Sequence, residues 1–182
     1  MLSVYINPET VMINGKVLNH NEKGSALLTE IYRDHIGGYP KFYKMDTLSK
    51  LGFVASELLL HEEGAERFVP REDRAVVFFN RNASLQADTA YQATIQDPGN
   101  FFPSPAAFVY TLPNIVTGEI AIRNKYFGET SFIVLPDYDQ KTINQQLRNA
   151  FQDPMTTSIL GGWLDCTDEN LFEAELYLIF KQ

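Results

Sequence analysis

The stretch Arg74-Ala75-Val76-Val77-Phe78-Phe79-Asn80 most constrains how this chain can fold. Its apolar residues run on without alternation and are bounded by charged and polar side chains. A strand with one wet face alternates apolar and polar residues; an unbroken run suits a central strand covered on both faces. Segments able to cover it lie on either side. Ser25 to His35 carries Leu27, Leu28, Ile31 and Tyr32 at helical spacing and stops at Gly37-Gly38-Tyr39-Pro40. A second helix begins after Asp46, a ready N-cap, with Leu48, Leu51, Val54, Ala55, Leu58 and Leu59 forming one stripe before Gly64. Ser84 to Ile95 and Asp139 to Phe151 read as further helices, the latter with Ile143, Leu147, Ala150 and Phe151 on one face. Two helical pieces flank Pro113.

Other segments have strand character. Leu2 to Ile6 and Thr10 to Ile13 are β-rich and form a short strand or ribbon. Thr130 to Leu135 is a strand. Thr156 to Leu160 is another, ending at Gly161-Gly162. In Leu171 to Phe180, the residues Phe172, Ala174, Leu176, Leu178 and Phe180 share one parity. The spacing predicts core strands near 2–6, 75–80, 130–135, 156–162 and 171–180. Right-handed crossovers make the strands joined by helices parallel. The last strand follows its predecessor after a short connection and should run antiparallel to it. Strands alternating with helices imply an α/β fold with helices on both faces of a sheet.

Composition narrows the function classes. A chain of 182 residues fits one domain spanning 1–182. The net charge is −8 and no stretch collects Lys and Arg, which argues against nucleic-acid and anionic-membrane partners. No segment approaches the ~20 apolar residues of a membrane span, and the first residues lack the basic start and long apolar run of a signal peptide. Cys166 is the only cysteine, so no intramolecular disulfide can form, which fits a reducing cytoplasm. The glycines make no GxGxxG or GxxxxGK[ST] cradle, and no cofactor is implied. Asp165, Asp168 and Glu169 have the spacing of no calcium loop, so no metal site is expected.

The stretch Phe102-Pro103-Ser104-Pro105 through Leu112-Pro113-Asn114-Ile115 to Arg123 resembles the segment leading into the active site of β-ketoacyl synthases. These are the condensing enzymes of fatty-acid and polyketide assembly. Lys44 to Leu51 resembles the start of that family's first long helix, and Ala75 to Asn80 its second core strand. The interval from Gly118 to Gly128 matches the one before its nucleophile strand. Carried over ungapped, the pattern puts the nucleophile position at Asp137 and brings Gly161-Gly162 near the family's Gly-Gly. The resemblance implies a thiolase-like half: a three-layer α/β/α sandwich with a mixed five-stranded sheet. The family's strand order places the first strand centrally, the second and third to one side, the fourth and fifth to the other. The resemblance covers roughly residues 40 to 180, the amino-terminal half of the family; the half that carries its two catalytic His and a Lys has no counterpart here.

The same resemblance argues against the family's chemistry. Condensation needs a thiolate to hold the acyl group and His side chains to polarise the second thioester. Asp137 supplies neither, none of His20, His35 and His61 lies in the matching half-site region, and Cys166 comes well after the nucleophile position. Catalytic residues are therefore expected to be none. A lone Cys is more often a bystander than a nucleophile. Asp137 and Asp139, flanking Tyr138 at a strand-to-helix turn, suit helix capping or a retained anion-binding role. Ser104 has no base placed beside it. Phe101, Phe102, Phe108 and Tyr110 suit a core or an interface, or the wall of an acyl tunnel. Ligand or interface candidates are Phe102, Ser104, Phe108, Asn114, Ser131, Ile133 and Tyr138.

Three functional readings follow. In the first, the chain is a non-catalytic synthase-like protein. It would be a homodimer, or a heterodimer with a full-length ketoacyl synthase, in fatty-acid, polyketide or aryl-polyene-type assembly. The family pairs the strand before its nucleophile across a dimer axis, which here implies 130–135 with 102–123. An acyl carrier protein is a further candidate partner, against which the shared acidity counts. The second reading is an acyltransferase or hydrolase with a relocated site. The third is an acyl-chain or small-ligand binding module.

Overall fold

The unbroken run becomes strand β4 (Arg74–Asn80), and every one of its residues is buried. The computed structural model describes residues 1–99 and 102–181; Phe101, of the aromatic group above, lies outside them. The other strands are β1 (Leu2–Asn7), β2 (Thr10–Ile13), β3 (Lys16–Leu18), β5 (Thr130–Val134), β6 (Ser158–Asp168) and β7 (Leu171–Phe180). They form one mixed sheet of seven strands in the order β3-β2-β1-β7-β6-β4-β5. β4 is parallel to β5 and β6. The remaining pairs are antiparallel, including β6 with β7 as their short connection requires.

Three expectations are corrected. The strand expected to end at Gly161-Gly162 runs on through both glycines as β6 to Asp168. The sheet has seven strands where five were expected, because β2 pairs with β1 as part of the same sheet and adds β3 through a tight turn. Asn14 and Gly15 both take positive φ (51° and 77°), the conformation an Asn-Gly hairpin turn favours. The first strand is also not central. β6 takes the place beside β4, and β1 lies beyond β7. The reason is patterning. Only Val4 and Ile6 of β1 are buried, while Ser3, Tyr5 and Asn7 give it a polar face. β6 buries its first seven residues and tolerates cover on both sides.

The helices are α1 (Gly24–Ile31), α2 (Thr47–Leu60), α3 (Leu85–Ile95), α4 (Pro105–Val109), α5 (Ile115–Asn124) and α6 (Gln140–Ala150). α1 continues as a π-helical turn over Tyr32–Ile36. The Asp46 carboxylate caps α2, accepting from the Ser49 N–H at 3.1 Å. All of α2 except Lys50 is buried, so it is a core helix rather than an amphipathic surface one. α1, α2 and α5 cover one face through Leu28, Leu51, Val54, Val116 and Ile120, which meet Val76, Phe78, Leu160 and Leu176. On the other face Ile143 and Leu147 of α6 pack with Val77, Phe79, Ile159 and Trp163. This is the expected α/β/α arrangement, and the 102–123 region is helical.

α2 and α5 approach each other through Gly52. A Cβ there would sit 2.5 Å from a Val116 methyl and 2.8 Å from a Leu164 methyl. Gly→Ala in a helix gains about 1 kcal/mol of propensity, while overpacking costs about 1–3 kcal/mol. With two methyls inside 3 Å of the added Cβ, the cost falls at the upper end, about 2–3 kcal/mol, so Gly52→Ala should destabilise the protein by about 1–2 kcal/mol, read as a lower urea midpoint at constant slope. A stabilised variant would show that the helices part freely.

Candidate functional site

β1, β4, β5 and β6 run in the same direction, because β7 is antiparallel to both β1 and β6. Their carboxyl ends meet at one end of the sheet, where open α/β sheets gather their ligands. The loop after β4 is rigid there. Buried Asn80 donates through Nδ2 to the Ala83 carbonyl at 2.8 Å and accepts from the Ala83 N–H at 3.1 Å. That bracket holds Ala83 in the left-handed region at φ 49°. Asp165 of β6 accepts from the backbone N–H groups of Arg81 (3.2 Å) and Asn82 (3.0 Å) and from the Asn82 side chain (2.8 Å).

So fixed, Arg81 reaches the Asp137 carboxylate at 3.3 Å, and both side chains are largely exposed. Arg81 also borders an open cleft of about 570 Å³ between the β1–β2 turn and the β6–β7 turn. Asn7, Glu9, Thr167 and Glu173 complete its polar rim.

Asp137 lies in the β5–α6 turn, and capping of α6 falls to its neighbour. Asp139 accepts from the Lys141 N–H at 3.0 Å and from the Thr142 hydroxyl at 2.6 Å. The Thr142 bond holds its carboxyl below the usual range. Tyr138 ties the turn to the sheet. Its ring meets Trp163 edge-on at 5.3 Å, and its hydroxyl donates to Glu175 at 3.0 Å. Burial, reinforced by Glu175, pushes that hydroxyl up to about 12.

The remaining sequence candidates do not converge on this turn. Ser104 caps α4, accepting from the Ala107 N–H at 3.3 Å. Phe102 is exposed, and Phe108 packs one side on Tyr91 at 5.5 Å. Asn114 precedes α5 without a side-chain capping bond. Ser131 donates to Glu129 at 2.7 Å, and Ile133 packs toward the α6 core. The α4 segment is nevertheless anchored to the same end of the sheet, because the Ser84 hydroxyl donates to the Thr111 carbonyl at 2.6 Å.

No imidazole borders Asp137 among the described residues. His20 lies in an exposed loop, with Nδ1 3.0 Å from the Glu22 carbonyl. His35 and His61 border a cavity at the opposite end of the sheet. Cys166 is buried, and burial pushes its thiol up to about 12. At pH 8 that leaves about a thousandfold less thiolate than an ordinary cysteine holds. Iodoacetamide should therefore alkylate the native protein at least about a hundredfold more slowly than the urea-unfolded protein. Equal rates in mass spectrometry would show an accessible, reactive thiol.

The sequence reading missed Arg81 and Asn82, and weighed Asp165 only as a cation ligand. The available signal was a polar triplet, Asn80-Arg81-Asn82, at the carboxyl end of a fully buried strand. No metal-binding cluster of His, Cys, Asp and Glu occurs among the described residues, and no described helix is long and apolar enough to cross a membrane.

No protein-family model matches the chain, and no curated protein matches it in sequence. Solved structures do share its fold. The ishigamide ketosynthase/chain length factor aligns with a TM-score of 0.69 at 16% identity, covering 99% of this chain and 61% of that one. The ketosynthase ApeO in complex with its chain length factor ApeC, from Xenorhabdus doucetiae, aligns with a TM-score of 0.64 at 12% identity, covering 100% and 79%. The chain thus has a ketosynthase-like fold and spans 61% of the length of the first of these structures.

Proposed function

We propose that this chain is a non-condensing, chain-length-factor-like partner of a ketosynthase. The β5–α6 turn carries this reading. Where the resemblance places a nucleophilic thiol, the turn presents Asp137, exposed and paired with Arg81 at 3.3 Å. A carboxylate in that setting forms no stable thioester, and the nearest thing to a substitute, Cys166, is held buried and protonated. The two structural neighbours support the partnership by analogy, since both are ketosynthase and chain length factor proteins. The open edge of β5 offers a place for such a partner to pair.

The test is reconstitution. Alone, with malonyl- and acyl-loaded carriers, the chain should give no condensed product and no acyl adduct by mass. Asp137→Cys should restore neither, because no imidazole among the described residues borders that turn. Co-expressed with ketosynthases of the same genome, the chain should co-elute with one of them and change the length distribution of its products. An acyl adduct on the isolated chain, or the failure of every such ketosynthase to co-elute, would overturn the reading.

A further inference from the structure

At the amino ends of the parallel strands, away from Asp137, lies a cavity of about 480 Å³, within the ~300–1,000 Å³ range of small-molecule sites. Ile13, Leu18, Ile36 and Leu58 make one wall of it apolar. Glu57, Glu62, Arg67 and Arg123 also line it. Glu57, all but fully buried in α2, is the shared acceptor of two guanidinium groups. Arg67 donates to its Oε2 and, at 3.3 Å, to its backbone carbonyl. Arg123 approaches the same Oε2 at 3.5 Å, and the Asn124 amide donates to Oε1 at 3.3 Å. Two cations thus face one carboxylate.

The two arginines are not equally satisfied. Arg123 also donates to the carbonyls of Gly38 (2.9 Å) and Gly37 (3.3 Å), which offset part of its charge. For Arg67, both protein acceptors among the described residues belong to Glu57. Nε and the second N–H of each terminal nitrogen remain unmatched. Arg67 is only 7% exposed and lies over the Phe68 ring, 4.4 Å from its centroid. None of the Arg67 nitrogens is both fully buried and unpartnered, so the unmatched N–H groups are served by solvent in the cavity. A neutral apolar occupant would displace water from those N–H groups and return nothing. A cation would meet two guanidiniums. A dianion exceeds the single uncompensated positive charge. Glu62 also borders the cavity, but it is exposed at the rim where solvent screens it.

We infer that this cavity binds a small amphipathic monocarboxylate, its carboxylate on Arg67 and its short apolar tail against Ile13, Leu18, Ile36 and Leu58. The site is independent of the β5 edge and of the proposed partnership.

Octanoate is the probe, with octanol and octylamine as arms that keep the tail and change the head. Octanoate should bind saturably in calorimetry and shift the Arg67 Nε–H resonance. Octanol should bind at least about tenfold more weakly, and octylamine not at all. Ala65 borders the cavity and is itself exposed, so Ala65→Trp fills the cavity mouth without cutting into the core. It should weaken octanoate at least about tenfold while leaving circular dichroism and thermal midpoint unchanged. Equal affinity for octanol, an unmoved Arg67 resonance, full octanoate affinity in folded Ala65→Trp, or no saturable binding would each overturn the proposal.

Discussion

Arg74→Met is expected to lower the free energy of unfolding by about 3 kcal/mol, toward the low end of the loss seen when one partner of a buried ion pair is removed. Arg74 is fully buried. Its Nε donates to the Ser158 hydroxyl at 3.0 Å, and its terminal nitrogens donate to Glu63 at 2.7 and 2.6 Å and to the Tyr126 hydroxyl at 2.9 Å. Burial works against the charged guanidinium, but Glu63 and Tyr126 outweigh it and keep Arg74 protonated. Methionine fills much of the same volume, so little packing is lost. What remains is a desolvated carboxylate and two hydroxyls without their donor. Glu63 keeps 18% of its side-chain surface, which lets water soften the penalty and sets the estimate at the low end. Urea unfolding followed by circular dichroism should show a lower midpoint at unchanged slope. Adding Glu63→Gln should recover part of the loss, because the stranded charge is then gone. A loss under about 1 kcal/mol would mean that water already serves Glu63 as well as Arg74 does.

The same pair explains how the segment His61–Phe68 is held. It contains a non-helical kink at Gly64 and has little apolar anchorage of its own. Glu63 fastens it to β4, and Arg67 fastens it to α2. The cavity that we assign to a monocarboxylate lies beside these two fastenings. Loosening Arg74 should therefore weaken octanoate binding too, although the two sites share no ligand contact.

What could be read from the residues was local. The unbroken run of β4, the single parity of β7 and the Asp46 cap each depend on neighbours a few positions away, and each stands in the structure. The sheet order depends on which strands meet across long stretches of chain, and periodicity does not encode that. One local clue to it existed: Ser3, Tyr5 and Asn7 alternate with Val4 and Ile6, so β1 could not occupy a doubly covered centre. The Asn14-Gly15 turn was likewise legible and announces β3. At the site, the residues around Asp137 read as a strand-to-helix turn, and Asp137 lies between β5 and α6. Its partner Arg81 was not legible, because Asp165 positions Arg81 only once β6 lies beside β4. The resemblance to one half of a two-half fold also carried the expectation of an exposed apolar face. The outer side of α6 carries Lys141, Asn144, Gln145 and Arg148 instead. Exposed apolar side chains lie along 102–112, at Phe102, Phe108, Val109 and Leu112.

Val134→Pro is expected to weaken association through β5 by at least about a hundredfold, while the fold survives. β5 is the last strand of the sheet, with β4 on one side only. The Glu129 carbonyl accepts from the Val76 N–H at 2.8 Å, and the Leu135 N–H donates to the Asn80 carbonyl at 2.7 Å. Odd-numbered residues of this strand therefore point their backbone groups at β4. Thr130, Phe132 and Val134 point theirs outward, where a second copy or a synthase could pair with them. Ile133 makes a poor probe of that contact, because its side chain packs into the α6 core and a charge there would injure the fold itself. Val134 is 50% exposed, and proline at an edge costs the β4 ladder nothing. It removes one outward donor, and its ring blocks the approaching strand. One lost hydrogen bond with the misfit around it amounts to about 3 kcal/mol, or about a hundredfold in Kd. Sedimentation velocity should show the wild type as a dimer, or as a complex with its synthase, and Val134→Pro as a monomer with an unchanged circular dichroism spectrum. A wild-type complex that survives Val134→Pro would move the interface away from β5. A wild type that stays monomeric at high concentration and binds no synthase would remove the interface altogether.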